Sequence, residues 1–256
     1  MFRGVMDPVD DAILEEIRRR RTEPDLDERE DILSLLVAAR DEDGSPMSDQ
    51  DLRDELMTLL VAGHETTATS LSWAMERLLR HPQKLERLRA EALAGESEEY
   101  LDAVVKETLR LRPVLPIVLR KLSQPMEFGG YTLPAGVALA PCIYLMHRRE
   151  DIYPNARAFS PERFLERPAG TYTWIPFGGG VRRCLGASFA LLEMKRVLQT
   201  IVREVSLRAA EPRSERVVRR SITLNPQHGA RVEVLKRPPA ADSGVAVERA
   251  LAGAGV

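Results

Sequence analysis

The sequence predicts a mainly α-helical protein with small β-sheets, an α+β arrangement. Three observations carry this. Apolar residues recur at helical spacing in several long segments, and one of these exceeds 30 residues. Short β-like runs, punctuated by Gly and Pro, occupy the stretch from 117 to 143 and return near the end of the chain. The 256 residues are 44% hydrophobic and 30% charged, enough for one large domain or two small ones with a real core.

The first 46 residues read as helices joined by charged loops. Ile13, Leu14 and Ile17 form a short apolar stripe, followed by the four-arginine run Arg18 to Arg21, expected to be a solvated helix face. Ile32 to Ala39 is a second apolar patch, and Asp41 to Pro46 is a loop. Ser48 and Asp51 then fit a capping box. Leu52, Leu56, Leu59, Leu60, Gly63, Thr66, Thr67, Ser70, Trp73 and Ala74 keep helical spacing up to about Arg80, where Pro82 forces a break. A helix of this length is expected to cross the domain with its middle buried.

Pro82 suits the first turn of a further helix, Gln83 to Ala94. Glu99 to Arg112 is the next, closed by Pro113. Ile117 to Leu122, Glu127 to Leu133 and Val137 to Ile143 read as strands. Tyr153 to Gly180 is irregular, and a structureless stretch of that length inside a domain points to a functional loop. Leu185 to Val205 is helical, Ser221 to Leu235 reads as two strands around Asn225–Gly229, and the tail after Pro238 is expected to be disordered. The expected organisation is a helical segment at 1–47, a main body at 48–236 and a tail at 237–256.

Composition excludes several classes. The 39 acidic residues nearly balance the 37 basic ones, so nothing argues for a nucleic-acid-coating surface. Two cysteines, Cys142 and Cys184, are too few for a disulfide scaffold, a four-cysteine zinc site or an iron–sulfur cluster. Met1 to Asp11 has no apolar signal region, and no run of about 18 apolar residues occurs. The expectation is a soluble, cytoplasmic chain with no membrane partner. Only five of the basic residues are Lys, a skew that fits a GC-rich bacterial gene.

The strongest motif is Phe177-Gly178-Gly179-Gly180-Val181-Arg182-Arg183-Cys184-Leu185-Gly186. Consecutive glycines let backbone approach a partner closely and adopt positive φ. Cys184 is expected at the N-terminus of the following helix, where free N–H groups, the helix dipole and Arg182 and Arg183 favour a thiolate. Such a thiolate can be a nucleophile or a metal ligand. Phosphate-cradling patterns are absent: there is no G-x-x-x-x-G-K-[ST] and no G-x-G-x-x-G in this loop. Cys142, between Pro141 and Ile143, reads as a small buried hydrophobe.

The Phe-x-x-Gly-x-Arg-x-Cys-x-Gly spacing resembles the haem-ligand loop of the cytochrome P-450 superfamily. By that resemblance Cys184 is the axial thiolate to the iron of haem b, and Arg182 pairs with a propionate. Phe177 shields the sulfur, and Gly178, Gly180 and Gly186 let backbone N–H groups point at it. Thiolate ligation pushes electron density onto the iron and favours O–O cleavage, and hydrogen bonds to sulfur moderate that push.

Three further elements stand in family order. Glu107 and Arg110 share a helix face, alone a common surface pair. With Pro161-Glu162-Arg163-Phe164 they resemble the family's Glu-x-x-Arg element and its partner, implying a Glu107–Arg110–Arg163 network that pins the irregular segment. Arg120 matches a position that reaches a second propionate; a solvent-facing strand residue is the equal alternative. Ala62-Gly63-His64-Glu65-Thr66-Thr67 lacks the second His of a zinc-protease motif, because Ala68 stands there. It resembles the family's oxygen-binding groove, with Ala62 and Gly63 leaving room and Glu65 and Thr66 as an acid–alcohol proton relay. His64 reads as a packing residue, and His81, His147 and His228 have no ligand spacing.

The resemblance implies a haem-thiolate monooxygenase that inserts one atom of O2 into a small apolar organic substrate. Its electrons would come from a ferredoxin- or flavodoxin-type donor with its reductase. Arg182, Arg183, Lys195, Arg196 and Arg203 against Glu193 and Glu204 give a modest basic face that suits an acidic donor, or simply a solvated helix face. Val114 to Val118 could line the substrate wall. The family's oxygen-groove motif lies near mid-chain, whereas here it begins at residue 62. The sequence therefore resembles the C-terminal half of such an enzyme, with an apolar patch of the long helix left exposed. The alternative is a non-catalytic or partner-dependent haem-binding fragment, completed by a separate N-terminal half. A cysteine enzyme using Cys184 as nucleophile lacks a neighbouring base.

Overall fold

The computed structural model describes residues 3–236, so the expected disordered tail lies outside the described residues. The helices are α1 (Arg3–Arg21), α2 (Ile32–Ala38), α3 (Asp49–Leu79), α4 (Pro82–Ala94), α5 (Glu99–Leu111), α6 (Ile143–Met146), α7 (Arg163–Glu166) and α8 (Ala187–Glu204). Two-stranded antiparallel sheets make up the β portion. β1 (Arg120–Lys121) pairs with β4 (Ala138–Leu139), and β2 (Met126–Phe128) with β3 (Tyr131–Leu133). β5 (Ser206–Ala209) pairs with β8 (Val232–Lys236), and β6 (Val217–Arg220) with β7 (Thr223–Pro226).

The chain divides into two compact units, one up to Glu65 and one from Thr66. The division falls inside α3 rather than at residue 47, because Leu52 is buried with Ile17 and Val37, and Leu56 and Met47 pack against them. Beginning α3 is the capping box: Asp51 N–H donates to Ser48 Oγ at 3.1 Å. In the first unit the four-arginine run is not uniformly solvated. Arg20 is buried and donates to Asp31 Oδ1 at 2.5 Å and Ser34 Oγ at 2.6 Å. Asp31 caps α2 by accepting from Ser34 N–H at 3.0 Å. That backbone bond, followed by the Arg20 guanidinium, holds the Asp31 carboxyl well below the usual carboxylate range. The arginine is thus drawn inward by an acid that the next helix needs as its cap.

The second unit is built on α4, α5, α8 and the later part of α3. Ala74, Leu78, Leu88, Leu101, Val104, Val105, Met194, Leu198 and Val202 form its core. Burying each large apolar side chain contributes about 1.5–3 kcal/mol. Both tryptophans of the chain belong to this unit. Trp73 is fully buried and donates from Nε1 to Leu224 O at 3.0 Å, beside Thr69 Oγ1, which donates to Asn225 Oδ1 at 2.7 Å. These bonds tie α3 to β7.

Several expectations are corrected. The middle of α3 is not buried: Leu59, Leu60 and Val61 are 44%, 58% and 69% exposed, and burial resumes only at Thr67. The apolar patch expected on this helix is therefore present. His64 is exposed rather than packed. The run from Val137 to Ile143 is not one strand, because only Ala138 and Leu139 pair and Cys142 begins the short α6. β7 and β8 do not pair with each other; each finds an earlier partner, β6 or β5, that the apolar pattern did not reveal. Gly129 and Gly130 both have positive φ, which permits the tight β2–β3 turn.

Candidate functional site

The cysteine loop is anchored below and open above. Trp174 Nε1 donates to Lys106 O at 3.1 Å, and its ring meets Phe177 edge-on at 6.1 Å between centroids. Phe177 and Trp174 both pack on the second unit's core. Gly178 N–H donates to Ile175 O, and Gly178 and Gly180 take φ of 71° and 67°, which only glycine adopts at little cost. Gly179 is extended. Arg183 N–H then donates to Gly180 O, and Cys184 N–H to Phe177 O, both at 3.0 Å. The loop closes on itself by backbone alone, leaving its side chains free for another use.

Those side chains face solvent. Cys184 is a free, exposed thiol, and the flanking Val181 and Leu185 are fully exposed. Ile117 and Leu119 are exposed as well. Gly178 sits 3.7 Å, measured from where its Cβ would be, from Val118 Cγ1, whereas Gly180 and Gly186 have open space there. Arg182 and Arg183 have no carboxylate within 4 Å among the described residues. Arg120 donates to Leu119 O at 2.9 Å and to Gly179 O at 3.4 Å, so it leans onto the loop instead of standing free on its strand. One correction concerns Cys184 itself. α8 begins at Ala187 with Gly186 as its N-cap, so the cysteine precedes the helix and its N–H is taken by Phe177.

A thiol, exposed apolar side chains and guanidiniums without acids form a donor set with a clear complement: a flat apolar group carrying a thiophilic metal and anionic substituents. Haem has these properties, and the residues present fit it. The basic face expected on α8 is partly neutralised, because Lys195 and Arg196 pair with Glu98 at 3.5 and 2.9 Å.

Ala62, Gly63 and Glu65 lie on the first unit's part of α3 and are exposed, while Thr66 opens the second unit's part and is half-buried. Thr66 O accepts from Ser70 Oγ at 2.9 Å. A side chain at Gly63 would meet no atom within 4 Å.

Glu107, Arg110 and Arg163 are brought together. Glu107 and Arg110 are both 0% exposed and form a two-pronged pair, Nε–Oε2 at 2.7 Å and Nη2–Oε1 at 2.8 Å. Arg163 Nε lies 3.2 Å from Glu107 Oε2, and Ser160 N–H donates to Oε1 at 2.8 Å. Arg110 spends its remaining donors on the carbonyl of His147, at the end of α6, at 2.6 Å and on those of Ala156 and Ala158, in the irregular segment, at 2.8 and 3.1 Å. One buried ion pair thus satisfies backbone that forms no helix or strand.

Sequence reasoning missed His147. It is fully buried, its Nδ1 lies 3.1 Å from Arg110 O, and its Nε2 accepts from Ile175 N–H at 2.9 Å. It links the Arg110 network to the irregular segment leading into the cysteine loop. A lone histidine with no periodic partner gives no signal of this in sequence. Glu162, read in the sequence only as part of the Pro161–Phe164 motif, gathers Lys84 at 2.8 Å and the Tyr100 hydroxyl at 3.1 Å.

The family model described as Cytochrome P-450 matches residues 1–233. A Mycobacterium tuberculosis protein whose name assigns it to cytochrome P-450 137 is 48% identical over 224 residues, covering 88% of this chain and 47% of that protein. Among solved structures, a retinoic-acid-bound cyanobacterial CYP120A1 is 33% identical with a TM-score of 0.77, over 87% of this chain and 55% of that one. The haem domain of a cytochrome P450DA mutant gives a TM-score of 0.80 at 29% identity, over 91% and 54%. The chain spans about half the length of the curated relatives it matches.

Proposed function

The chain belongs to the cytochrome P-450 family, and from that membership we propose that it is the haem-holding part of a monooxygenase acting on a small apolar organic substrate with O2. Electrons would arrive from a ferredoxin- or flavodoxin-type donor. The observation that carries this reading is the loop around Cys184, an exposed thiol among unpaired arginines and solvent-facing apolar side chains.

In this reading Cys184 Sγ binds the iron of haem b. Bound haem supplies the centre at which O2 is reduced, with the thiolate pushing electron density toward it. Arg182 and Arg120 hold its carboxylates as charge-assisted hydrogen-bond donors. Phe177, fixed by Trp174, limits water at the sulfur. By the family resemblance, Ala62 and Gly63 would be the small residues of the oxygen-binding groove. Glu65 and Thr66 would serve as the acid–alcohol pair of a proton relay. Glu107, Arg110 and Arg163 are positioning residues: they fix the irregular segment that delivers Phe177 and Cys184.

The test is the ferrous–CO spectrum of haem-supplemented protein. The expected result is a red-shifted Soret band that disappears in Cys184→Ala. An unshifted band, or a shifted one that survives the substitution, would overturn thiolate ligation by Cys184.

A second reading is a haem-binding fragment that turns over only with a partner polypeptide. The exposed Leu59, Leu60 and Val61, together with the half-length match, favour it. Turnover driven by NADPH, a reductase and a ferredoxin, with this chain alone, would exclude it.

A further inference from the structure

α5 ends because Arg112 leaves helical geometry, at φ −130°, and Pro113 follows. Two guanidiniums converge on the last carbonyl of the helix. Arg148 Nη2 donates to Leu111 O at 2.6 Å, and Arg112 Nη1 reaches the same oxygen at 3.4 Å. Each cation is backed by an aromatic ring: Arg148 lies 3.4 Å from the Tyr144 ring centre, and Arg112 lies 5.0 Å from that of Trp73. Arg148 Nη1 also donates to Tyr144 O at 3.1 Å. Arg112 Nε is buried without a hydrogen-bond partner.

Neither residue has a carboxylate within 4 Å among the described residues. The contrast with their neighbours is sharp. Arg77 pairs with Glu76, and Arg110, two residues from Arg112, is matched by Glu107. Burial lowers Arg112 to about 10, with the charges of Arg77 and Arg148 adding to the effect and that of Glu76, already paired with Arg77, opposing it, and burial lowers Arg148 as well. A guanidinium withdrawn from water with no anion in hydrogen-bond contact is costly, and two that share one carbonyl repel each other. The group that relieves both is a two-oxygen anion, which accepts from both planar forks at once.

We propose that Arg112 and Arg148, backed by Trp73 and Tyr144, form a binding site for a small organic carboxylate. The site uses residues outside the cysteine loop and the proton pair on α3, and it stands or falls independently of the function proposed above. The free carboxylate bridges the two guanidiniums and takes up the orphaned Nε hydrogen of Arg112.

The test is calorimetric titration of the full chain with sodium benzoate and with sodium acetate, against sodium chloride at matched ionic strength. Saturable binding of the carboxylates is expected, weakened at least tenfold in Arg112→Gln and in Arg148→Gln and unchanged in Arg219→Gln. Should either variant fail to fold, wild-type protein decides alone. Phenylglyoxal modification followed by peptide mapping should show benzoate protecting Arg112 and Arg148. Absence of saturable binding, equal binding in the variants, or protection confined to other arginines would overturn the proposal.

Discussion

His147 joins two backbone segments through one ring. Because Nε2 accepts from the Ile175 amide, Nδ1 carries the hydrogen and donates to Arg110 O. Burial, with the Arg110 charge second, lowers its pKa to about 3, against an ordinary value of 6.5. The unfolded chain therefore binds a proton that the folded chain refuses between those values. Stability contributed by neutral His147 is full above pH 6.5 and is lost as pH falls toward 3, by several kcal/mol in total. Urea midpoints measured from pH 7 to pH 4 should fall steeply for wild type and more gently for His147→Gln. Glu107 gives a second prediction. Its removal leaves Arg110 buried with no counter-charge, so Glu107→Ala should cost about 3–5 kcal/mol in urea unfolding. The two residues differ in legibility for a physical reason. Glu107 and Arg110 share a helix face at i,i+3, so spacing exposes them. His147 acts through backbone atoms of distant segments, which no local pattern encodes.

At the scale of elements, α3 was readable because both ends carry chemistry: Ser48 caps the start, and Pro82 forbids continuation beyond Leu79. Ser48→Ala should cost about 1 kcal/mol, read as a lower thermal midpoint of the helical circular dichroism signal. The strands were readable as β chemistry but not as partners. They are two to five residues long, and β5 pairs with β8 across the intervening β6–β7 hairpin. Apolar alternation over so few residues sets a face and cannot choose a neighbour. The burial of α3 was misjudged for a related reason: Leu59, Leu60 and Val61 satisfy helical spacing whether or not anything packs on them. For the cysteine loop, the Gly spacing signalled close backbone turns, and the structure places positive φ at Gly178 and Gly180 but not at Gly179 or Gly186.

For the whole molecule, exposed apolar surface occurs on both units. The first unit exposes Leu59, Leu60 and Val61, and the second exposes Val181 and Leu185. Such patches drive association. The double variant Leu60→Glu, Val61→Lys should reduce concentration-dependent light scattering while leaving the urea midpoint within about 0.5 kcal/mol of wild type. Among the described residues no helix is long and apolar enough to cross a membrane. The placement of Trp73 and Trp174 has its own consequence. Every Trp and Tyr of the chain lies beyond residue 65, so intrinsic fluorescence is blind to the first unit. Emission unfolding curves therefore report the second unit alone, whereas far-ultraviolet dichroism sums α1, α2 and all of α3 with the rest. Two-state melting would superimpose the curves; a gap between their midpoints would show that the fluorescence-silent unit and the emitting one unfold separately.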